Sequence, residues 1–272
     1  MIVPPAPATL RGSGIRASTG AALVGALIVW VALLGPLIAL AAHLTPAEVV
    51  NSLRQPGAFE PLLTSVAASL VALAVIILLG TPLAYMLARG RLPFPRLWEI
   101  GVILPLLTPP LVIGLLLIFM VGPATPIGEA LSHLNLSASD TFLALVVAEI
   151  YESVPYYVLG AAAAFATVDP QLEEAGALLG DGRWRTWRRV TAPLAAPGLA
   201  TALAVTWARA MGAFGAVLII AYHPFGLPMQ IWVTLQETGL ASALPFVLVL
   251  LVVALPLPVG AYLWSARARR RL

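Results

Sequence analysis

The sequence contains no cysteine and no lysine, and it has few charged residues of any kind. Its 272 residues are 60% hydrophobic and 10% charged, whereas soluble domains carry roughly 25% charge. The absence of cysteine excludes disulfides, thiolate metal ligands and cysteine nucleophiles. Together with a mean hydropathy of +0.97, this composition indicates an integral membrane protein.

Six apolar runs are long enough to cross a bilayer, which takes about 20 residues. The first run follows Arg11 and Arg16 as a signal peptide would, but it is longer than a signal core and has no convincing small-residue cleavage site. We therefore interpret it as a retained span. The predicted fold is all-α, one transmembrane domain over residues 1–272. Its six predicted spans lie at about 19–42, 62–88, 99–122, 141–166, 195–221 and 241–265.

All 15 basic residues are arginines, and 13 of them fall on one side of the six-span arrangement. They precede the first span, separate the second from the third and the fourth from the fifth, and follow the last. Arg54 lies on the other side, and Arg209 lies inside the fifth span. The positive-inside rule then predicts that both termini and the segment between spans four and five are cytoplasmic.

The segment between spans four and five is polar and unusually long; we call residues 169–198 the polar island. Asp169 followed by Pro170 predicts a helix start, and the run Gly180-Asp181-Gly182 predicts its end. A second, basic helix is predicted from about Arg183 to Val190, ending before Pro193. The island is too long for a turn and too short for a domain, which indicates a surface for a partner.

Two interpretations of the polar island compete on physical grounds. Trp184, Trp187 and the arginines between them suit a helix lying at lipid headgroups. Ala175 and Gly176 favour a protein partner instead, because small side chains allow close approach of another surface. Leu172, Ala175 and Leu179 fall on one face at helical spacing.

A resemblance to a known family supports the second interpretation. Residues 167–194 resemble the EAA loop of ABC-importer permeases. The matching pattern is Glu174-Ala175-Gly176, three residues, Gly180, nine residues and then residues 190–193. Residues 80–89, 104–114 and 207–216 are similar to spans of molybdate, tungstate and sulfate permeases. Ala213 stands where that family has Glu, and the loop after residue 221 also departs from it.

The resemblance implies a permease subunit of an ABC importer in a bacterial or archaeal plasma membrane. It implies ATP-driven alternating access, a second permease copy, ATPase subunits docked on the EAA loop and an external solute-binding protein. Mg-ATP would be bound by the ATPase, because this chain has no phosphate-binding loop and no catalytic residues of its own. The implied solute is an oxyanion such as molybdate, tungstate or sulfate. The implied coupling residues are Glu173, Glu174, Ala175, Gly176, Leu179, Gly180, Arg183 and Pro193.

Three ionisable residues are predicted inside spans: Arg209 in the fifth, and Glu149 and Glu152 in the fourth. A charge at mid-bilayer costs about 2.5–3.5 kcal/mol on insertion scales. We therefore predict that Arg209 pairs with Glu149 or Glu152. The pair could hold spans four and five together, or it could attract an anion in the translocation path.

Prolines interrupt the third span. Broken backbone at membrane depth is tolerated where it meets protein or a water-filled cavity, so this segment is predicted to line the path, with an ordinary kink as the alternative. In the fifth span, Gly212 and Gly215 permit close helix contact, which more often serves packing than gating. A short outer helix is also predicted from Pro228 to Gly239. The pore or gate candidates are Pro109, Pro110, Gly114, Arg209, Gly212, Phe214 and Gly215.

Other functions are less well supported by the sequence. His43, His133 and His223 are scattered and predict no metal site, and nothing indicates nucleic-acid binding. The remaining alternatives are an importer of another small solute, a proton-coupled secondary transporter using the three intramembrane charges, and a structural or assembly protein of the membrane.

Overall fold

The computed structural model describes residues 13–55 and 57–269, with side chains over 22–55 and 57–267. Throughout these residues the regular secondary structure is helical, with no strand. This confirms the all-α class. The chain divides into two compact units, Met1–Val50 and Asn51–Leu272. Arg11, Arg270 and Arg271, on which part of the topology prediction rests, lie outside the described residues.

The first unit contains α1, Ser13–His43, and most of α2, Pro46–Leu53. From residue 22 to 43, α1 is apolar and its large side chains are exposed, as expected for a lipid-facing span. A capping box starts α2: the Thr45 N–H donates to Glu48 Oε2 at 2.8 Å, and the Glu48 N–H donates to Thr45 Oγ1 at 3.3 Å. These hydrogen bonds lower the pKa of the exposed Glu48 carboxyl.

The second unit is a bundle with α7 at its centre. Helix α7 packs against both α3 and α10, which also contact each other; α14 packs on α10, α5 on α11, and α12 on α13. Its helices are α3 Glu60–Ala88, α4 Pro95–Leu107, α5 Pro110–Val121, α6 Pro126–His133, α7 Phe142–Ala166, α8 Pro170–Leu178, α9 Arg183–Thr186, α10 Ala192–Met211, α11 Gly215–Ile220, α12 Leu227–Glu237, α13 Leu240–Ala254 and α14 Pro256–Arg269, with a π-helical segment at Trp187–Thr191.

Small residues bring α7 and α10 close together. A Cβ on Gly160 would lie 2.7 Å from the Cβ of Ala202, and one on Gly198 would lie 2.5 Å from that of Ala164. Lipid offers no hydrophobic drive for helices to associate, so close backbone packing of this kind is what holds membrane helices together. The central helix pair is therefore tight and intolerant of larger side chains.

Five helical segments in the described chain are long and apolar enough to cross a membrane: Ala22–His43, Glu60–Ala88, Phe142–Ala166, Arg183–Ile220 and Leu240–Arg267. A sixth is obtained only if α4 and α5 count as one span, and these two helices are bent by 116°. The predicted third span at 99–122 is therefore no ordinary kinked helix. Thr108 and Pro109 both adopt extended ψ values, 129° and 137°, and Pro110 has no N–H to continue the ladder.

The last two predicted spans are also interrupted. The run 195–221 leaves helical geometry at residues 212–214 between α10 and α11, and the run 241–265 is divided at Leu255, just before Pro256. Helix α12 lies where a short outer helix was predicted from Pro228 to Gly239. Helix α6, which begins with the Thr125 side chain accepting from the Gly128 N–H at 3.0 Å, was not predicted.

Candidate functional site

The polar island folds as a compact helical hairpin. Asp169 begins α8, because its Oδ1 accepts a hydrogen bond from the Gln171 N–H at 2.9 Å. Gly180 then turns the chain with φ +86°, a left-handed conformation that side chains other than glycine adopt only with strain. Residues 183–191 return along α8 as α9 and the π-helical segment. The predicted two-arm form is therefore present.

The second arm of the hairpin differs from its prediction, since it does not end before Pro193. Helix α9, the π-helical segment and α10 follow one another without a gap. Pro193 lies just after the π-helical segment, inside this continuous helical run, where it has no N–H to donate to the preceding turn. The island is thus directly continuous with the fifth span.

The tip of the hairpin carries exposed apolar side chains. Leu178 and Leu179 are 89% and 87% exposed, and Trp184 is 69% exposed. Trp184 stacks on Trp187 with ring centroids 4.9 Å apart. Leu172 and Ala175, predicted on the same face as Leu179, are also exposed. We call Leu178, Leu179 and Trp184 the tip surface; an apolar patch of this kind on a polar segment is a candidate interaction site.

The small residues of the motif have different surroundings. A Cβ on Gly176 would lie 3.1 Å from Cγ2 of Thr186, so this glycine lets α8 approach α9 inside the hairpin. Gly176 thus serves packing within the hairpin, and its predicted contact with a partner remains a prediction. Ala175 and Glu174 are exposed, and no side chain crowds Gly180; its role is the turn.

Glu173 is the polar centre of the island. Its Oε1 accepts from Arg89 Nη2 at 2.6 Å and from Thr191 Oγ1 at 2.7 Å, and its Oε2 accepts from the Tyr85 hydroxyl at 2.9 Å. Arg89 Nη1 also donates to the Val168 carbonyl at 2.9 Å. The Arg89 and Glu173 side chains are only 6% and 11% exposed. Burial raises the pKa of Glu173, but these hydrogen bonds and the charge of Arg89 hold it below its ordinary value.

The remaining charges of the island are solvated. Asp181 lies 3.4 Å from Arg185 and 3.6 Å from Arg189, and both arginine side chains are more than 60% exposed. Exposed pairs of this kind contribute little to stability. Arg183 lies beside them at the start of α9 and lines a cavity of about 370 Å³ with Arg89. The island therefore has one buried ionic contact and an otherwise open charged surface.

Arg209 has an acidic partner inside the bundle. Its Nη2 lies 2.5 Å from Glu152 Oε2, and its guanidinium carbon is 6.0 Å from the centre of the Tyr156 ring. Glu152 Oε1 accepts a hydrogen bond from the Ala216 N–H at 3.0 Å. One carboxylate on α7 thus contacts the last turn of α10 and the first turn of α11, on both sides of the break at 212–214.

Glu149, the other predicted partner, does not pair with Arg209. It is 2% exposed, and its Oε2 has no hydrogen-bond partner among the described residues. Ser69 and Ser153 are fully buried, and their hydroxyl oxygens also lack partners within that part of the chain. The two glutamates of α7 therefore have different environments, one ionic and one apolar with hydroxyls.

Two of the pore and gate candidates, Gly114 and Gly215, lie at the contact of α5 with α11. A Cβ on Gly114 would lie 2.7 Å from the Cβ of Ile219, and one on Gly215 would collide with Pro110. Phe214 lies in the break after α10 and contacts Trp232 of α12 with ring centroids 5.6 Å apart, whereas Gly212 ends α10. Pro109 caps the start of α5. Packing explains Gly114 and Gly215, and a role in gating remains a prediction.

Sequence reasoning missed three residues of the island site. Tyr85 and Arg89 are 88 and 84 positions away from Glu173, and no spacing rule relates positions so far apart. Leu178 was not among the predicted residues, because Leu172, Ala175 and Leu179 fit the helical period and Leu178 does not. Its apolar side chain on a polar segment was the available signal.

These features define a multi-span α-helical membrane protein with a structured polar hairpin between two of its spans. The family described as "Binding-protein-dependent transport system inner membrane component" matches residues 76–271. The chain belongs to this family, and it is the permease component of an ABC importer.

Two relatives are similar to this chain over most of its length, and one solved structure shares its fold. The chain is 38% identical over 232 residues to a probable molybdenum ABC transporter permease of Haloferax volcanii, covering 85% of this chain and 84% of the relative. It is 33% identical over 239 residues to the molybdenum transport system permease ModB of Mycobacterium tuberculosis, covering 86% and 90%. A bacterial alginate ABC transporter, crystallised with its alginate-bound periplasmic protein, has a chain of the same fold, with TM-score 0.65, 19% identity and 93% and 96% coverage.

Proposed function

We propose that the tip surface of the polar island docks an ATPase subunit on the cytoplasmic side of the membrane. The observation that carries this proposal is the pair of leucines, Leu178 and Leu179, held almost fully exposed on a rigid hairpin. Lipid alone does not require a hairpin of this shape. Membership of an ABC-importer family supplies the class of partner, and the arginine distribution supplies the side.

The transport mechanism follows from this docking. ATP bound by the ATPase subunits draws them together and moves the islands of two permease copies, and hydrolysis releases them. Because the island continues directly into α10, and α10 packs tightly on α7 through Gly160 and Gly198, its movement reaches the central helices as one rigid displacement. A solute released by an external binding protein then enters a pathway that opens in turn to each side of the membrane.

The solute we propose is a tetrahedral oxyanion, molybdate or tungstate. The support is the naming of the two relatives as molybdenum permeases at 38% and 33% identity over most of the chain. Arg209 is not offered as a free anion ligand, because Glu152 neutralises it at 2.5 Å. The same pairing, and the family, argue against a proton relay through these groups.

Docking is tested by charge placed on the tip surface. Leu178→Asp together with Leu179→Asp should abolish co-purification of the ATPase with the permease, because two carboxylates would be desolvated in an apolar contact. Gln171→Asp is the matched control: it adds an acid to the first turn of the same exposed helix, away from the tip.

The proposal is supported if the tip variant inserts in the membrane, loses the ATPase and loses transport while the control keeps both. Co-purification that survives both aspartates would overturn the docking assignment.

A further inference from the structure

The contacts of Glu173 join parts of the chain that are far apart in sequence. Glu173 lies on α8, Tyr85 and Arg89 lie at the end of α3, and Thr191 ends the π-helical segment. We call these four residues the latch. The hairpin is linked covalently only to α7 and α10; the latch adds a third, non-covalent link, to α3.

Burial makes this link stiff rather than transient. The two charged side chains are 6% and 11% exposed, so water cannot readily replace either partner. Every oxygen of the Glu173 carboxylate is used, and Arg89 additionally holds the Val168 carbonyl at the start of the island. The exposed pairs of Asp181 with Arg185 and Arg189 offer no such constraint.

The end of α3 is in turn fixed to the central helix. The Tyr85 ring meets Phe165 of α7 edge to face at 5.5 Å, and Thr81 shares a 2.7 Å hydrogen bond with Tyr157. Along its length α3 packs on α7. A displacement of the hairpin that is passed to Arg89 therefore moves α3 and α7 together instead of sliding the hairpin past them.

We propose that Arg89 and Glu173 are positioning residues that transmit movement of the docked island to α3. This inference rests on the proposed function, because the movement it transmits is that of an ATPase-bound hairpin. It assigns to the latch a role separate from docking: the tip surface receives the force, and the latch passes it to the span that the chain does not connect directly.

The first experiment measures solute transported per ATP hydrolysed by the full transporter in vesicles. Arg89→Gln and Glu173→Gln should each lower this ratio by about tenfold, within the 5- to 150-fold range of typical coupling between sites, while the ATPase still co-purifies. The double variant should be no worse than either single one, because the two residues act as a unit. Arg96→Gln is the matched control: it removes an exposed arginine seven positions away, at the start of α4, that contacts no latch residue among the described residues.

The second experiment needs only the permease. Because the chain has no cysteine, spin labels can be placed on cysteines at Met86 of α3 and Gln171 of α8, both exposed. The distance distribution between them should be narrow in the unmodified background and in Arg96→Gln, and broader in Arg89→Gln and Glu173→Gln. This readout distinguishes failure of the latch from failure of the proposed function, since it does not depend on an ATPase.

Three results would overturn the proposal: a ratio unchanged in both single variants, loss of the ATPase in the latch variants, or a distribution that stays narrow. Should the neutral variants fail to insert, Tyr85→Phe decides, because it removes the 2.9 Å hydrogen bond to Glu173 and the 3.4 Å hydrogen bond from Arg91 Nη1, but no charge. It should lower the ratio in the same direction by a smaller factor, and an unchanged ratio would contradict the latch.

Discussion

The burial of the ion pair between Arg209 and Glu152 predicts that removing the arginine destabilises the protein more than removing the glutamate. The Glu152 side chain is completely buried, whereas that of Arg209 is 25% exposed. Arg209→Met leaves a buried carboxylate with one remaining hydrogen bond, from the Ala216 N–H. Leaving one member of a buried pair uncompensated costs about 3–5 kcal/mol, so this variant should lose a large fraction of the stability of a marginal fold.

The reverse change should be milder. Glu152→Gln keeps an amide oxygen for the Ala216 N–H, and the orphaned arginine retains some access to water. In the Arg209→Met background, Glu152→Gln should recover most of the loss, because no charge then remains uncompensated. Glu149→Gln is the matched control, an equally buried glutamate one turn away on the same helix, and it should recover little.

The assay is thermal unfolding of the purified permease in lipid nanodiscs, read as a double-mutant cycle. Equal recovery by Glu149→Gln and Glu152→Gln would refute the specific pairing. Unchanged stability of Arg209→Met with loss of transport alone would refute the structural role, and would assign Arg209 to the translocation path.

Two further predictions concern the polar island. Gly180→Ala should destabilise the permease by about 1–2 kcal/mol, the cost of a left-handed residue with a Cβ, whereas Gly182→Ala, at φ −66° with open space around it, should cost only tenths; equal melting temperatures for the two would contradict the turn assignment. The pKa of Glu173 is lowered in the folded protein, so its contribution to stability is fully present above the pKa of the unfolded chain and is lost as pH falls through the folded pKa. The difference in melting temperature between the parent protein and Glu173→Gln should therefore shrink on acidification. A difference that grows would contradict this sign.

Local rules predicted the elements that depend on local causes. Asp169-Pro170 and Gly180 carry cap and turn chemistry within a few residues, and the hairpin begins and turns at these positions. The long apolar runs likewise favour helices, because a helix satisfies its backbone N–H and C=O groups within one segment, as the lipid interior requires. The need to neutralise Arg209 inside a span limited its partners to two acids, one of which is in contact.

The features that the sequence did not predict depend on residues far apart in the chain, or on the size of a local distortion. Prolines at 109 and 110 predicted a disturbance, but a 116° bend arises because α5 then packs on α11 through Gly114 and Gly215. The choice of Glu152 over Glu149 depends on where α10 breaks. Glu173 looked like a favourable charge in a first turn, and its buried contact with Arg89 required the position of α3.

The most direct test of the central claim is uptake of labelled molybdate into vesicles containing this permease with its ATPase subunit, with solute-binding protein added outside. The account predicts uptake that requires ATP inside and the binding protein outside, and that is lost in the Leu178→Asp, Leu179→Asp variant. Uptake that proceeds without the ATPase, or a complete transporter that moves neither molybdate nor tungstate while importing a different solute, would contradict it.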